Sequence, residues 1–156
     1  MRSACILLIR YDNGYPQILT VSRKNNPNDI GIPGGKEDDC DNCDLRMTAA
    51  RELMEETGYW VDPHKLYEVF QADGDTGDED TITSCLCITF MIDDNGFENG
   101  IPMIRENDVS RPAYIQLEQP TEKGVVAWRP LMDIVQPGCS FATYNKALLT
   151  KTDFIN

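Results

Sequence analysis

Long hydrophobic runs are missing from this sequence, and His64 is its only histidine. The first absence removes a membrane-spanning helix, because no apolar stretch approaches the roughly 20 residues that a bilayer requires. The opening Met1-Arg2-Ser3-Ala4-Cys5-Ile6 is too short in apolar residues for a signal peptide, so a cytoplasmic protein with no membrane partner is expected. Basic residues are scarce too. Fourteen of them against 26 acidic residues leave a formal charge of −12, a field that repels polyanions and makes extended nucleic acid a poor partner.

Zinc chemistry is limited by the same shortage of ligands. Of six cysteines, only Cys40-Asp41-Asn42-Cys43 contains a pair at a zinc-like or redox-like spacing, and neither a second such pair nor a second histidine completes a four-ligand set. Cys85 and Cys87 share one face of an alternating run, about 6.5–7 Å apart at Cα and at the limit for a disulfide. Cys5 and Cys139 stand isolated in sequence, and reduced thiols are expected throughout.

What is present fits one globular unit. With 41% apolar and 26% charged residues, and no internal repeat or linker, residues 1–156 read as a single domain, long enough to bury roughly two thirds of its unfolded surface. Ser3 to Tyr11 is an apolar run, Asp12-Asn13-Gly14-Tyr15-Pro16 a turn, and Gln17 to Arg23 a second strand, which together predict a hairpin. Asn25 to Asp29 breaks the pattern, and Gly31-Ile32-Pro33-Gly34-Gly35 is too rich in glycine and proline for a regular element. Further strands are expected near 66–72, 81–92 and 123–129, with a long polar segment from Asp93 to Glu122 and helices at Leu131 to Val135 and Ala142 to Leu149.

From Leu45 to Thr57 the period becomes helical, with Gly58 as its stop. At about 100° per residue, Met47, Ala50, Leu53, Met54 and Thr57 share one arc, the expected buried face, and Glu52, Glu55 and Glu56 are expected opposite. Like charges at these spacings cost a helix some tenths of a kcal/mol per pair. On spacing alone two readings stay open: a solvated face with Arg51 partnering Glu55, or a platform of oxygen ligands for a divalent cation. The neighbouring Gly34 and Gly35 favour a close backbone approach to a ligand. The acidic loop from Asp73 to Asp80 superficially resembles an EF-hand, but Gly77 and Ser84 stand where ligands belong.

Gly35, the acidic stretch after it, and Arg51-Glu52-Leu53-Met54-Glu55-Glu56-Thr57-Gly58-Tyr59 resemble the Nudix box, a glycine and a glutamate followed by Arg-Glu-aliphatic-any-Glu-Glu-any-Gly-aliphatic. Gly35 and Arg51 are two positions further apart than the family pattern has them, and its first glutamate is absent. Counting forward from Gly35 puts Asp41 at that place; counting back from Arg51 puts Cys43 there. In the family this glutamate orients the arginine, so Asp41 or Asp44 is expected to substitute.

The resemblance implies an α/β fold, a Nudix-like α/β/α sandwich around a mixed β-sheet. It further implies hydrolysis of a phosphoanhydride bond in a nucleoside triphosphate or related nucleoside diphosphate derivative, with Mg²⁺ or Mn²⁺ as cofactor. By position, Gly35, Glu52, Glu55 and Glu56 would bind metal, and Arg51 would hold the carboxylates. Glu122 is the expected base, with Glu118, Glu55 and the turn residue His64 as alternatives. Arg23 and Lys36 would contact phosphates of a small nucleotide-like substrate. ADP-ribose and dinucleoside polyphosphates stay open as substrates, as does a non-catalytic nucleotide-binding module. Since Cys40 and Cys43 carry no part of this chemistry, replacing both by serine is expected to leave turnover within a few-fold; complete loss together with loss of stoichiometric zinc would contradict it.

Overall fold

The computed structural model describes residues 2–23, 26–74, 85–92, 97–98, 101–102, 119–121 and 124–151. The first apolar run does not stay in one strand. It forms β1 (Arg2–Ile6) and β2 (Ile9–Asp12), joined through Leu7 and Leu8. Leu7 N–H donates to the Phe90 carbonyl at 2.9 Å, and the Leu8 carbonyl accepts from Leu19 N–H at 3.1 Å. These two residues therefore hand the chain from one sheet to another.

The hairpin follows as expected, with β3 (Tyr15–Arg23) antiparallel to β2 across Asn13 and Gly14, whose φ values of 50° and 82° suit a tight two-residue turn. The Asn/Pro and Gly/Pro segments, expected to be irregular, are partly strands: β4 (Asn26–Gly31) pairs with β3, and β5 (Gly34–Lys36) with β1. Edge and bulge positions tolerate such residues, and β3 and β4 shift register at Ser22/Arg23. Pro33 lies at the crossing between the sheets, its carbonyl accepting from Ile6 N–H at 2.9 Å.

After helix α1 (Leu45–Thr57) come β6 (Leu66–Gly74) and β7 (Cys85–Ile92), the short pair β8 (Phe97–Glu98) and β9 (Ile101–Pro102), then β10 (Gln119–Thr121), β11 (Gly124–Pro130), a 3-10 turn at Leu131–Val135 and helix α2 (Ala142–Lys151). One sheet has the order β5-β1-β7-β6, with β1 and β7 parallel and the other pairs antiparallel; the second runs β10-β11-β3-β2, with β4 beside β3. The strands are thus mixed and flanked by two helices, the α/β/α sandwich expected. Residues 75–84, which include most of the acidic stretch and the start of the expected strand 81–92, and most of the segment 93–122 lie outside the described residues. Among the described residues no helix is long and apolar enough to cross a membrane.

Alternation explains the unbroken apolar run. Ala4, Ile6 and Leu8 join the core cluster that contains Leu45, Ala49 and Leu53 of α1, while Cys5, Leu7 and Ile9 join the cluster that contains Tyr144, Leu148 and Leu149 of α2. A strand covered on both faces has no solvent side to mark with polar residues. Cys5 is not isolated: its Sγ lies 3.9 Å from that of Cys87. Since Cys5 registers with Thr89 and Cys87 with Ser3, the two thiols are diagonal rather than opposite, a poor disulfide geometry.

Helix α1 keeps its expected bounds, with Asp44 capping the Arg46 N–H at 3.0 Å and Gly58 ending it at φ 79°. Its buried face is rotated from expectation. Leu45, Thr48, Ala49, Ala50, Leu53 and Thr57 are buried, whereas Met54 is 41% exposed. Small Ala49 and a hydrogen-bonded Thr48 fit against the sheet where two methionines do not. Leu45, Ala49, Glu52 and Glu56 follow one helical row, so Glu52 and Glu56 are tucked at the margin of the buried side rather than opposite it. Leu53→Ala is expected to cost about 3 kcal/mol. Met54→Ala should cost less than about 0.5 kcal/mol, and urea midpoints measured at constant slope will separate the two; equal losses would contradict the observed face.

Candidate active site

The loop between β5 and α1 is organised by Asp41. Asp38 caps a 3-10 turn at Asp39–Asp41, accepting from Asp39 N–H at 2.7 Å, while Asp41 Oδ2 accepts from Asp38 N–H at 2.8 Å. The turn places the Asp41 carboxylate inside the protein, with its side chain 2% exposed. A carboxylate so buried must be fully partnered. It is: Arg51 Nε donates to Oδ1 at 2.9 Å, Arg51 Nη2 to Oδ2 at 3.0 Å, and Thr48 Oγ1 to Oδ2 at 2.8 Å. The Arg51 hydrogen bonds, aided by the Asp38 and Thr48 donors, hold the Asp41 carboxyl well below the usual carboxylate range, and the same pairing raises Arg51 further.

Arg51 spends every N–H it has. Nη2 also donates to the Lys36 carbonyl at 3.0 Å, and Nη1 donates to Glu52 Oε1 at 3.0 Å and to Glu55 Oε1 at 3.3 Å. One guanidinium therefore ties α1, β5 and the intervening loop together and offsets the repulsion between two of the three glutamates. Glu56 is held separately, its Oε1 accepting from Gly34 N–H at 3.1 Å.

The two glycines differ in what they touch. A Cβ at Gly35 would lie 2.5 Å from the Glu52 carboxylate, and one at Gly34 would lie 2.5 Å from the Ala4 carbonyl oxygen and from Cys5 Cβ. At Gly34 only bare backbone fits against β1, whereas a side chain at Gly35 would displace the Glu52 carboxylate.

Gly35, Arg51, Glu52, Glu55 and Glu56 are thus brought together, and the Lys36 carbonyl joins them. Of the two proposed substitutes for the missing glutamate, Asp41 orients Arg51. Asp44 caps α1 and pairs with Arg46 at 2.9 Å, which lowers its own pKa. Arg23, 60% exposed, pairs with Asp29 at 3.1 Å, and that carboxylate is also fixed by Ser140 N–H at 2.7 Å and Ser140 Oγ at 2.6 Å. The Lys36 side chain and His64 are exposed. Glu122 and Glu118 lie outside the described residues. Thr48, the Asp38 amide and the Lys36 carbonyl were not foreseen; the Asp38-to-Asp41 capping spacing and the position of Thr48 three residues before Arg51 were the available signals.

Among the described residues no three His, Cys, Asp or Glu side chains form a preformed metal cage. Fit to a cation rests on the donor set instead. Three glutamates on one helix, two of them against a glycine turn that a Cβ would fill, offer only hard oxygen donors, which suits Mg²⁺ or Mn²⁺ and not a soft metal.

Asp41→Asn takes from the half-buried Arg51 guanidinium its bidentate charge partner, leaving only Glu52 and Glu55, and is expected to cost about 3 kcal/mol. The native carboxyl is depressed, so its stabilisation is full above the unfolded value of about 4 and fades as pH falls below it. Denaturant midpoints of wild type and Asp41→Asn should therefore differ at pH 7 and converge under acid; a constant gap across that range would contradict the ion pair.

The model of the NUDIX domain matches residues 1–134. No curated protein matches the chain. Among solved structures, the NUDIX domain of Shewanella oneidensis NrtR complexed with ADP ribose superposes with a TM-score of 0.65 at 18% identity, over 99% of this chain and 86% of that one. The longer NrtR chain is covered over 63% of its length. A C. elegans Ap4A hydrolase gives 0.54 at 17% identity over 98% and 96%, and a MutT protein from Bacillus halodurans 0.59 at 16% over 94% and 78%. At these identities the superpositions speak for the fold alone. The match over residues 1–134, which includes Arg51 and its glutamates, carries the assignment: this chain belongs to the Nudix hydrolase family.

Proposed function

We propose that the protein hydrolyses a phosphoanhydride bond in a nucleoside triphosphate or related nucleoside diphosphate derivative, with Mg²⁺ or Mn²⁺ held by Glu52, Glu55, Glu56 and the Gly35 carbonyl. The observation that carries this reading is the single Arg51 guanidinium, anchored by Asp41, that holds Glu52 and Glu55 beside the glycine turn. Nothing in a merely solvated acidic face calls for a buried aspartate to orient the arginine between its glutamates.

Bound there, the cation would neutralise phosphate oxygens, lower the pKa of the attacking water and stabilise the leaving phosphate. Arg51 keeps the carboxylates in place without itself meeting the substrate, since its donors are already used. Glu122 takes the proton from water, and Arg23 and Lys36 meet the outer phosphates through long, exposed side chains. The strongly negative chain repels an anionic substrate except where cations gather, which confines binding to the glutamate platform.

ADP-ribose is the second substrate to test, on the strength of the NrtR domain in complex with ADP ribose. Dinucleoside polyphosphates follow, on the strength of the Ap4A hydrolase.

Release of phosphate or pyrophosphate from a nucleotide panel is the direct test. It should vanish with a chelator and return with Mg²⁺ or Mn²⁺; full activity in metal-free protein, or none with any nucleotide, would refute the reading. Glu56→Gln should weaken both metal binding and turnover. Glu122→Gln should lower kcat by ~10²–10⁴ while leaving KM and metal affinity nearly unchanged. Wild-type kcat in Glu122→Gln across neutral and alkaline pH would move the search for the base to Glu118 and Glu55.

A further inference from the structure

Two exposed thiols flank the residue on which the site depends. Cys40 and Cys43 lie on either side of Asp41 and Asn42, both at the surface, while Asp41 between them is buried. Two intervening residues is the spacing of thiol–disulfide exchange motifs. The segment is held under backbone strain: Asn42 and Cys43 have φ of 55° and 59°, left-handed values that cost non-glycine residues energy, closed by an Asp44 N–H to Asp41 carbonyl bond of 3.0 Å. From the other side Arg2 donates to the Cys43 carbonyl at 3.1 Å and pairs with Glu37. Cys40 Sγ rests 3.6 Å from Asp41 Oδ1, the oxygen that also receives Arg51 Nε.

We propose that Cys40 and Cys43 form a reversible disulfide by exchange with a small-molecule disulfide, and that closing it releases the Asp41–Arg51 clamp and lowers activity. The bridge takes Cys40 Sγ away from Asp41 and towards Cys43, twisting the turn that aims the Asp41 carboxylate. Desolvation, then the charges of Asp41 and Asp38, push the Cys40 thiol up, which makes it the resolving thiol and assigns the first attack to Cys43. Its thiolate forms a bond to one sulfur of R–S–S–R and expels R–S⁻. Cys40 then attacks the Cys43 sulfur of the mixed disulfide, its proton leaving with the second R–SH. Two protein thiols are oxidised and one small disulfide is reduced to two thiols.

This inference rests in part on the hydrolase reading, so its test carries a second readout that does not. Full-length wild type and the Cys40→Ser/Cys43→Ser double variant are equilibrated in reduced and oxidised glutathione buffers, the bridge is mapped by peptide mass spectrometry, and turnover and Tm are measured. The expected result is a Cys40–Cys43 bridge in wild type, a turnover loss of roughly tenfold or more, a lower Tm, full recovery with dithiothreitol, and no response in the double variant. Absence of the bridge in fully oxidising buffer overturns the proposal, and so does a complete bridge with turnover and Tm unchanged. If reduced protein hydrolyses no nucleotide, the hydrolase reading fails by itself, and the Tm response still decides whether the bridge releases the clamp.

Discussion

The bidentate pair between Arg51 and Asp41 is the interaction on which the site depends. It is largely withdrawn from water, and a carboxylate 2% exposed is tolerable only because the guanidinium, Thr48 and the Asp38 amide satisfy it together. Once Asp41 has fixed two of the guanidinium nitrogens, the remaining N–H groups have one arrangement left. They reach the Lys36 carbonyl, Glu52 and Glu55, and so determine where the glutamates stand relative to the glycine turn. Orientation passes from loop to arginine to carboxylates through charge-assisted hydrogen bonds, which are short and directional.

Packing sets the distance over which that clamp works. The alternation of Ala4, Ile6 and Leu8 against Cys5, Leu7 and Ile9 buries β1 on both faces and locks its register, because a one-residue slip would exchange the two sets. β1 in turn carries β5, and Gly34 leaves no room for any side chain between them. On the other side Thr48, Ala49 and Leu53, all at 0% exposure, let α1 lie close to the sheet. Helix and glycine turn are thereby held near enough for Glu52 to rest on Gly35 and Glu56 to accept from Gly34.

Electrostatics reconcile the acidic chain with an anionic substrate. Glutamates crowded on one helix destabilise it unless something offsets them. Here Arg51 serves Glu52 and Glu55, and a backbone amide serves Glu56, and together the carboxylates present oxygen donors suited to a cation. The loop that does this work also carries Cys40 and Cys43, and two of its residues, Asn42 and Cys43, are left-handed.

The box from Arg51 to Tyr59, the bounds of α1 and the Asn13-Gly14 hairpin were legible from sequence, because each depends on local chemistry: capping, positive φ, helical period and the order of charges. Four features were not. The rotation of α1 was hidden because hydrophobicity ranks Met47 and Met54 above Thr48 and Ala49, whereas close approach to a sheet favours small side chains and a hydroxyl with a buried partner. The splitting of the Ser3–Tyr11 run into two strands of different sheets leaves no mark in a pattern apolar at every position. The nearness of Cys5 and Cys87 is a product of strand order. Above all, counting could place either Asp41 or Cys43 where the family has its glutamate, and local sequence offered Asp44 equally; only the 3-10 turn, by aiming one carboxylate inward at Arg51 and leaving the other to cap the helix, decided between them.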